Sequence, residues 1–311
     1  MKVDSERLAV QPSLIQISQG AVRALHTELA LEPKPGLVSY RDNGSHSDMN
    51  ASTLFRSLFA LRGFFGEVAR AGWQTRPLAE LQSLGLLAEA RMLKSTGGIN
   101  THRGAIFSLG LLCAAGGLLA AQRSIFSALR VREALLDQWG ESLRSRAAQA
   151  RCSSALCMGQ PSNGQLSNGQ RVAQRFQLRS APEEAAEGFP TLFEVALPAL
   201  QEAIALGMPP RAAKVHCLFA TMAALDDTNV AHRGGREAMD FVKGQATGFI
   251  ESGSVWQLDW LNQARHIHAE FVERRLSPGG AADMLACACW VREMEGLAGQ
   301  DFASLKTRPV L

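Results

Sequence analysis

The sequence contains almost no alternation of β-branched and polar residues, so it offers no convincing strand and excludes a sheet-based nucleotide fold. There is no G-x-x-x-x-G-K-[ST] loop, and no strand to carry one. Positive charge is not gathered into basic blocks. A formal net charge of +3 over 311 residues is too small to point to nucleic acid. The six cysteines form no C-x-x-C pair, and three of them (Cys113, Cys217, Cys287) fall in apolar helical patterns, which suits buried thiols. No His-x-x-x-His pair has a nearby Glu, and His266-x-His268 would point to opposite sides of a helix, so no zinc site is expected. The N-terminus is polar, with Asp4 and Glu6, and does not read as a signal peptide. The longest apolar stretch, Ile106 to Ala121, is short for a membrane span and has glycines inside it. A soluble, reducing, cytoplasmic protein with no membrane and no nucleic-acid partner is expected.

What is present is helix. Hydrophobic residues make up 46% of the chain, enough for a large core. Residues 1–12 read as a flexible N-terminal tail. From Ser13 to Leu31 apolar residues recur at helical spacing, until Pro33, Pro35 and Gly36 stop the pattern. Residues 37–50 are a polar loop. A helix capped by Asn50 or Ser52 is expected to run to about Ala71, and another from Pro77 to Met92. The buried helix after Gly104 is followed by a more charged one over 122–150. Residues 151–171, rich in Ser, Asn, Gly and Gln, read as a mobile loop. Further helices are expected at 181–188, from Phe189 to Leu206 with a kink at Pro198, and at 209–225, 236–251, 255–276 and 278–295. The fold class is all-α: one large, multi-helix, bundle-like catalytic domain over residues 13–311, with polar loops converging on one cleft.

Four polar islands interrupt these helices. The first is Lys34-Pro35-Gly36 with Asp42-Asn43-Gly44-Ser45-His46-Ser47-Asp48-Met49. The second is Gly97-Gly98-Ile99-Asn100-Thr101-His102-Arg103-Gly104, with Glu89 upstream. The third is Asp226-Asp227-Thr228-Asn229 with His232-Arg233-Gly234-Gly235. The fourth is Ser277-Pro278-Gly279-Gly280 with Asp283. Singly, each has an ordinary explanation as a turn or a helix cap. Jointly they repeat a theme, since Asn, His and Arg precede glycine in both the second and the third island. Arg and His donate to phosphate, and glycine lets backbone N–H groups approach the same anion. Carboxylates such as Asp42, Asp48, Asp226 and Asp227 suit Mg²⁺ bridging to phosphates. The residues therefore describe an all-helical enzyme of Mg²⁺ and polyphosphate.

These same segments resemble the triphosphoribosyl-dephospho-CoA synthase family. The likeness is carried by Glu32-Pro33-Lys34-Pro35-Gly36-Leu37-Val38, by the Asp42–Met49 octapeptide, by Gly97 to Phe107 and by Gly188-Phe189-Pro190. It continues in Asp227 to Gly235 and in Ser277-Pro278-Gly279-Gly280-Ala281-Ala282-Asp283. It covers about residues 20–295 in the family's order. Arg103 stands where the family more often has lysine, and residues 151–171 match weakly. The resemblance implies that ATP and 3′-dephospho-CoA give 2′-(5″-triphosphoribosyl)-3′-dephospho-CoA and adenine. That product would pass to a phosphoribosyl-dephospho-CoA transferase serving an acyl carrier protein. The first island and Phe55 to Arg62 look more like the malonate decarboxylase branch than the citrate lyase branch. On this likeness Asp48, His46 and Asp227 are the catalytic candidates. Lys34, Gly36, Asn43, Asn100, Thr101, His102, Arg103, Asn229, His232, Arg233, Gly234 and Gly235 would bind substrate phosphates. Asp42, Glu89, Asp226 and Asp227 would hold Mg²⁺. The alternatives are the same reaction for citrate lyase, a Mg²⁺-dependent nucleotide or ADP-ribose-type hydrolase, and a non-catalytic helical subunit. A homodimer is compatible with the sequence.

Overall fold

The computed structural model describes residues 11–156 and 168–306, and among them there is no strand. Residues 1–10, 157–167 and 307–311 lie outside the described residues, including most of the expected tail and the centre of the expected mobile loop.

The chain opens with α1 (Leu14–Ala30), started by a capping box in which Ser13 and Gln16 satisfy each other's backbone N–H groups. After the polar loop, Asn50 caps α2 (Ala51–Leu61) by accepting from the Thr53 N–H. The helix expected to reach Ala71 is broken at Arg62-Gly63, and α3 (Phe64–Trp73) follows as a separate element. The break lets Leu58 and Leu61 on one piece and Phe64, Phe65 and Val68 on the other all enter the core. Next come α4 (Leu78–Thr96) and α5 (Arg103–Gln122). α5 is apolar on every side, the mark of a core helix, and it packs against α1, α3, α4 and α13 (Gly279–Lys306). By length and composition it could cross a membrane, but 78% of that stretch is buried inside the molecule.

α6 (Ala128–Leu156) and α7 (Asn168–Phe176) correct the expected 151–171 loop, since both of its ends are helical. Asn168, read from sequence as a turn residue, begins a helix instead. α8 (Ala181–Ala186) follows. The expected kink at Pro198 takes the form of a π-helical segment, Thr191–Ala196, leading directly into α9 (Leu197–Ala205). Proline has no N–H to give to the preceding turn, and the widened turn absorbs the missing bond. α10 (Pro210–Ala224) leads to α11 (Thr228–Glu251), so the third island is helical from Thr228 onward, with Asp226 and Asp227 just before it. Gly234 and Gly235 break its geometry, Gly235 at φ 70°, a conformation suited to glycine. A short 3₁₀ turn (Ser254–Trp256) and α12 (Trp260–Glu273) replace the single helix expected over 255–276.

Two contacts hold the helices around α5 together. Trp290 on α13 donates its indole N–H to the Ile17 carbonyl of α1 at 3.0 Å. Gly72 and Gly117 bring α3 and α5 into backbone contact: a Cβ on Gly72 would lie 1.9 Å from the Ala114 oxygen, and one on Gly117 would lie 1.9 Å from the Ala69 oxygen. A methyl group there forces the helices apart. Gly117→Ala is expected to lower the unfolding free energy by about 1–3 kcal/mol or more, despite its better helix propensity. Urea denaturation followed by circular dichroism checks this, and an unchanged midpoint would contradict the close approach.

Candidate active site

The site is best built outward from Asp227. It is buried and N-caps α11, its Oδ1 accepting from the Asn229 N–H at 2.8 Å. Its Oδ2 accepts from the Ala281 N–H at 3.1 Å, in the first turn of α13. One carboxylate thus caps two helices, and the positive ends of both face it. A Cβ on Gly280 would lie 3.0 Å from Oδ2, a tight contact that the absent side chain relieves. Burial raises the Asp227 pKa, and the backbone N–H groups of Asn229, Ala281, Val230 and Gly280 pull it back down.

Arg233 stands on the same short stretch of α11. It donates to the carbonyls of Ser45 and Arg275, both at 3.1 Å, and meets the His46 ring at 3.2 Å. It lies in the field of Asp48 and Asp227, and burial lowers its pKa against that pull. His46 Nε2 is 2.9 Å from Ser277 Oγ, and its Nδ1 is 3.4 Å from Asp48. Burial and then the Arg233 charge lower the His46 pKa, with Asp48 opposing. The loop reaches this place because Gly36, at φ 67°, packs on the turn after α12, where a Cβ would strike the Leu276 oxygen. Three of the four islands therefore meet here.

The second island joins through Asp283. Its carboxylate presses on Gly104, where a Cβ would lie 1.9 Å from Oδ2, and accepts the Ala105 N–H at the mouth of α5. Burial, then Glu28 and Asp227, push its pKa well above the usual carboxylate value. Glu28, on α1, accepts from buried Lys34 Nζ at 2.5 Å through its carboxylate and at 2.8 Å through its carbonyl. Burial lowers the Lys34 pKa, with Glu28 opposing. His102 lies within the field of Lys34 and is 5% exposed. Lys34, His102 and Asp227 are therefore linked electrostatically, through Glu28 and Asp283.

His102 is a neutral donor rather than a cation. Burial and Lys34 hold its pKa down to about 4. Thr101 donates to Ser57 Oγ at 2.7 Å, and Ser57 Oγ lies 2.7 Å from His102 Nδ1. Ser57 Oγ can donate to Nδ1 or accept from it, and the ring's other nitrogen is Nε2. That buried Nε2 has no partner, and neither has Arg103 Nε. Asn100, at the surface, accepts the Arg103 N–H at 3.2 Å.

The carboxylates expected from sequence to hold Mg²⁺ each take partners within the protein, Asp227 as the cap of two helices. Glu89 pairs with Arg103. Asp226 takes Lys243 Nζ at 2.5 Å. Asp42 caps its own turn through the Gly44 N–H at 2.9 Å and faces His268 Nε2 at 3.3 Å. Among the described residues no group of three or more His, Cys, Asp or Glu side chains could hold a metal ion. Asn43, Asn229 and His232 are exposed, and Gly234 and Gly235 form the break in α11. Sequence reasoning missed Glu28 and Ser57, which sit among ordinary helical positions. It noted Asp283 only as a companion of its turn. A wider, open groove of about 640 Å³ between α11 and α12, lined by residues such as Gly244, Gly248 and His266, contains none of the candidate residues.

The family model for ATP:dephospho-CoA triphosphoribosyl transferase, CitG, matches residues 15–302. This chain belongs to the triphosphoribosyl-dephospho-CoA synthase family. A probable 2-(5″-triphosphoribosyl)-3′-dephosphocoenzyme-A synthase of Acinetobacter calcoaceticus is 34% identical, covering 90% of this chain and 94% of that protein. A synthase of the same name from Pectobacterium atrosepticum is 35% identical over 88% of this chain and 87% of its own length. A probable one from Azotobacter vinelandii is 36% identical over 95% and 97%. No solved structure matches. The family is one of transferases, so the non-catalytic reading is set aside.

The neutral His102 generates a pH prediction. The unfolded imidazole takes a proton near pH 6.5, while the native one stays neutral to about pH 4. The unfolded state then binds more protons, and stability falls as pH drops through that window, by about 3 kcal/mol for this group. His102→Gln should lose less stability than the wild type between pH 6.5 and 4 in urea titrations. Parallel pH profiles for the two proteins would contradict a neutral buried His102.

Proposed function

We propose that this protein moves the 5-triphosphoribosyl group of ATP to the 2′-hydroxyl of 3′-dephospho-CoA, with release of adenine. The observation that carries this reading is the pairing of two carboxyl groups in opposite environments within one network. Asp48 is exposed beside Arg233 and His46, whereas Asp283 is held against the mouth of α5, where burial, then the charges of Glu28 and Asp227, raise its pKa. Transfer needs one group of each kind. The C1″–N9 bond of ATP breaks and a C1″–O2′ bond forms. Asp48 takes the proton of the 2′-hydroxyl, and protonated Asp283 gives one to the departing adenine. Charge developing at C1″ would be met by the carboxylates nearby.

Arg233, Arg103 and the neutral N–H of His102 are the donors suited to the triphosphate. Lys34 acts at one remove, because its ammonium is spent on Glu28. Mg²⁺ fits this reading as the ion ATP brings with it, since Mg²⁺ commonly needs only one or two protein carboxylates beside substrate phosphates. The wording of Asp42 to Met49 and Phe55 to Arg62 favours the acyl carrier protein of malonate decarboxylase as the final recipient of the product, through a second transferase, in the cytoplasm.

The test is incubation of the purified chain with ATP, Mg²⁺ and dephospho-CoA, followed by mass analysis of the nucleotides. Free adenine should appear only when dephospho-CoA is present. Adenine or ribosyl triphosphate appearing without it would favour a hydrolase. Asp48→Asn and Asp283→Asn should each slow adenine release by about 100-fold or more. A rate within a few-fold of wild type removes that residue from its role.

A further inference from the structure

Glu32 is an unusual carboxylate, because three arginines from three separate elements converge on it. Arg41, in the polar loop, reaches Oε1 at 3.3 Å. Arg265, on α12, reaches Oε1 at 3.2 Å through Nε. Arg211, in the first turn of α10, pairs with Oε2 and donates Nε–H to the Glu32 carbonyl at 2.5 Å. One carboxylate neutralises one guanidinium. Two further charged groups face the same place: Asp42, with His268 Nε2 at 3.3 Å, and Lys34, whose charge is matched by Glu28. The balance leaves one positive charge in excess before His268 is counted.

The guanidinium groups are far from saturated. Each carries five N–H donors and uses only one or two of them here. They are not sealed either, with 38–59% of the three side chains exposed. Beside Arg41 and Arg265 lies a cavity of about 250 Å³ whose lining also includes Glu32, Lys34, Asp42 and His268, with Arg211 reaching Glu32 from outside that lining. A purely structural ion pair needs neither a surplus of forks nor an opening. The planar forks of arginine suit the paired oxygens of a phosphate chain.

We propose that this cavity is a second anion subsite that takes a diphosphate or triphosphate chain, with Glu32 as the internal anion that the ligand displaces or shares. The assignment of its ligand as a substrate phosphate chain rests on the transferase reading. The same loop carries Arg41 and Asp42 at the subsite and His46 and Asp48 at the network around Asp227. Two sources fit the chemistry: the triphosphate of ATP and the diphosphate of dephospho-CoA.

The experiment is calorimetric titration of the full chain with inorganic pyrophosphate, alongside steady-state kinetics with each substrate varied. Arg265→Ala should weaken pyrophosphate about tenfold or more, and raise KM for one substrate by a similar factor while kcat changes less. A rise confined to ATP assigns the triphosphate, and one confined to dephospho-CoA assigns the diphosphate. Glu32→Gln separates this from a merely structural role. Removing the internal competitor should tighten pyrophosphate severalfold, whereas loss of a structural ion pair would only weaken binding or leave it unchanged. Unchanged pyrophosphate affinity in both variants, or weaker binding in Glu32→Gln, overturns the subsite while leaving adenine release intact. Absence of adenine release from the wild type overturns the transferase reading instead, and pyrophosphate titration still decides the subsite.

Discussion

The site depends on one carboxylate that caps two helices. Asp227 joins the first turns of α11 and α13, which are far apart in sequence, by accepting N–H groups from both. Two helix starts brought together would otherwise leave unpaired donors and facing positive dipole ends. With the carboxylate between them, the arrangement is stable and dry. Everything functional nearby takes its position from this joint. Arg233 is fixed on the α11 side, and Ser277 and Asp283 on the α13 side. The loop carrying His46 is held to both.

A second consequence is crowding. Asp227, Asp283 and Glu28 are close enough for the last two and the first to influence one another through Asp283. Only Glu28 has a cation in direct contact, from Lys34. Low dielectric makes unpaired negative charge expensive, and burial together with Glu28 and Asp227 pushes the Asp283 pKa well above the usual carboxylate value. Asp48, by contrast, is exposed, so the fold places two residues of one type in opposite surroundings.

Much of this was legible in the chain. Apolar periodicity found most helices, Asn50 was one of two candidate caps beside Ser52, and the glycine-flanked polar islands marked the segments that gather. What escaped had a common cause. The roles of Glu28 and Ser57 come from neighbours that are 6 and 45 residues away and packed against them only in the fold. Glu89 and Arg103 looked like a metal ligand and a phosphate ligand, but fourteen residues of helix and turn bring them together as a pair. Asp226 and Asp227 are adjacent and chemically identical. The helix start at Thr228 buries one, and the other turns to Lys243. The composition of 151–171 suggested a loop, yet Ser, Asn and Gln at its edges serve as the ends of α6 and α7.

The contact of α3 with α5 through Gly72 and Gly117 acts as a spacing gauge for the chemistry. α5 delivers His102, Arg103 and Gly104 at its mouth, and Asp283 fits against Gly104 with no room to spare. A helix pushed outward by even a fraction of an ångström would still be a helix in a folded bundle. The fit of Asp283 against Gly104, however, would be lost. Along this seam, sequence drift should disturb the candidate site well before it unfolds the protein.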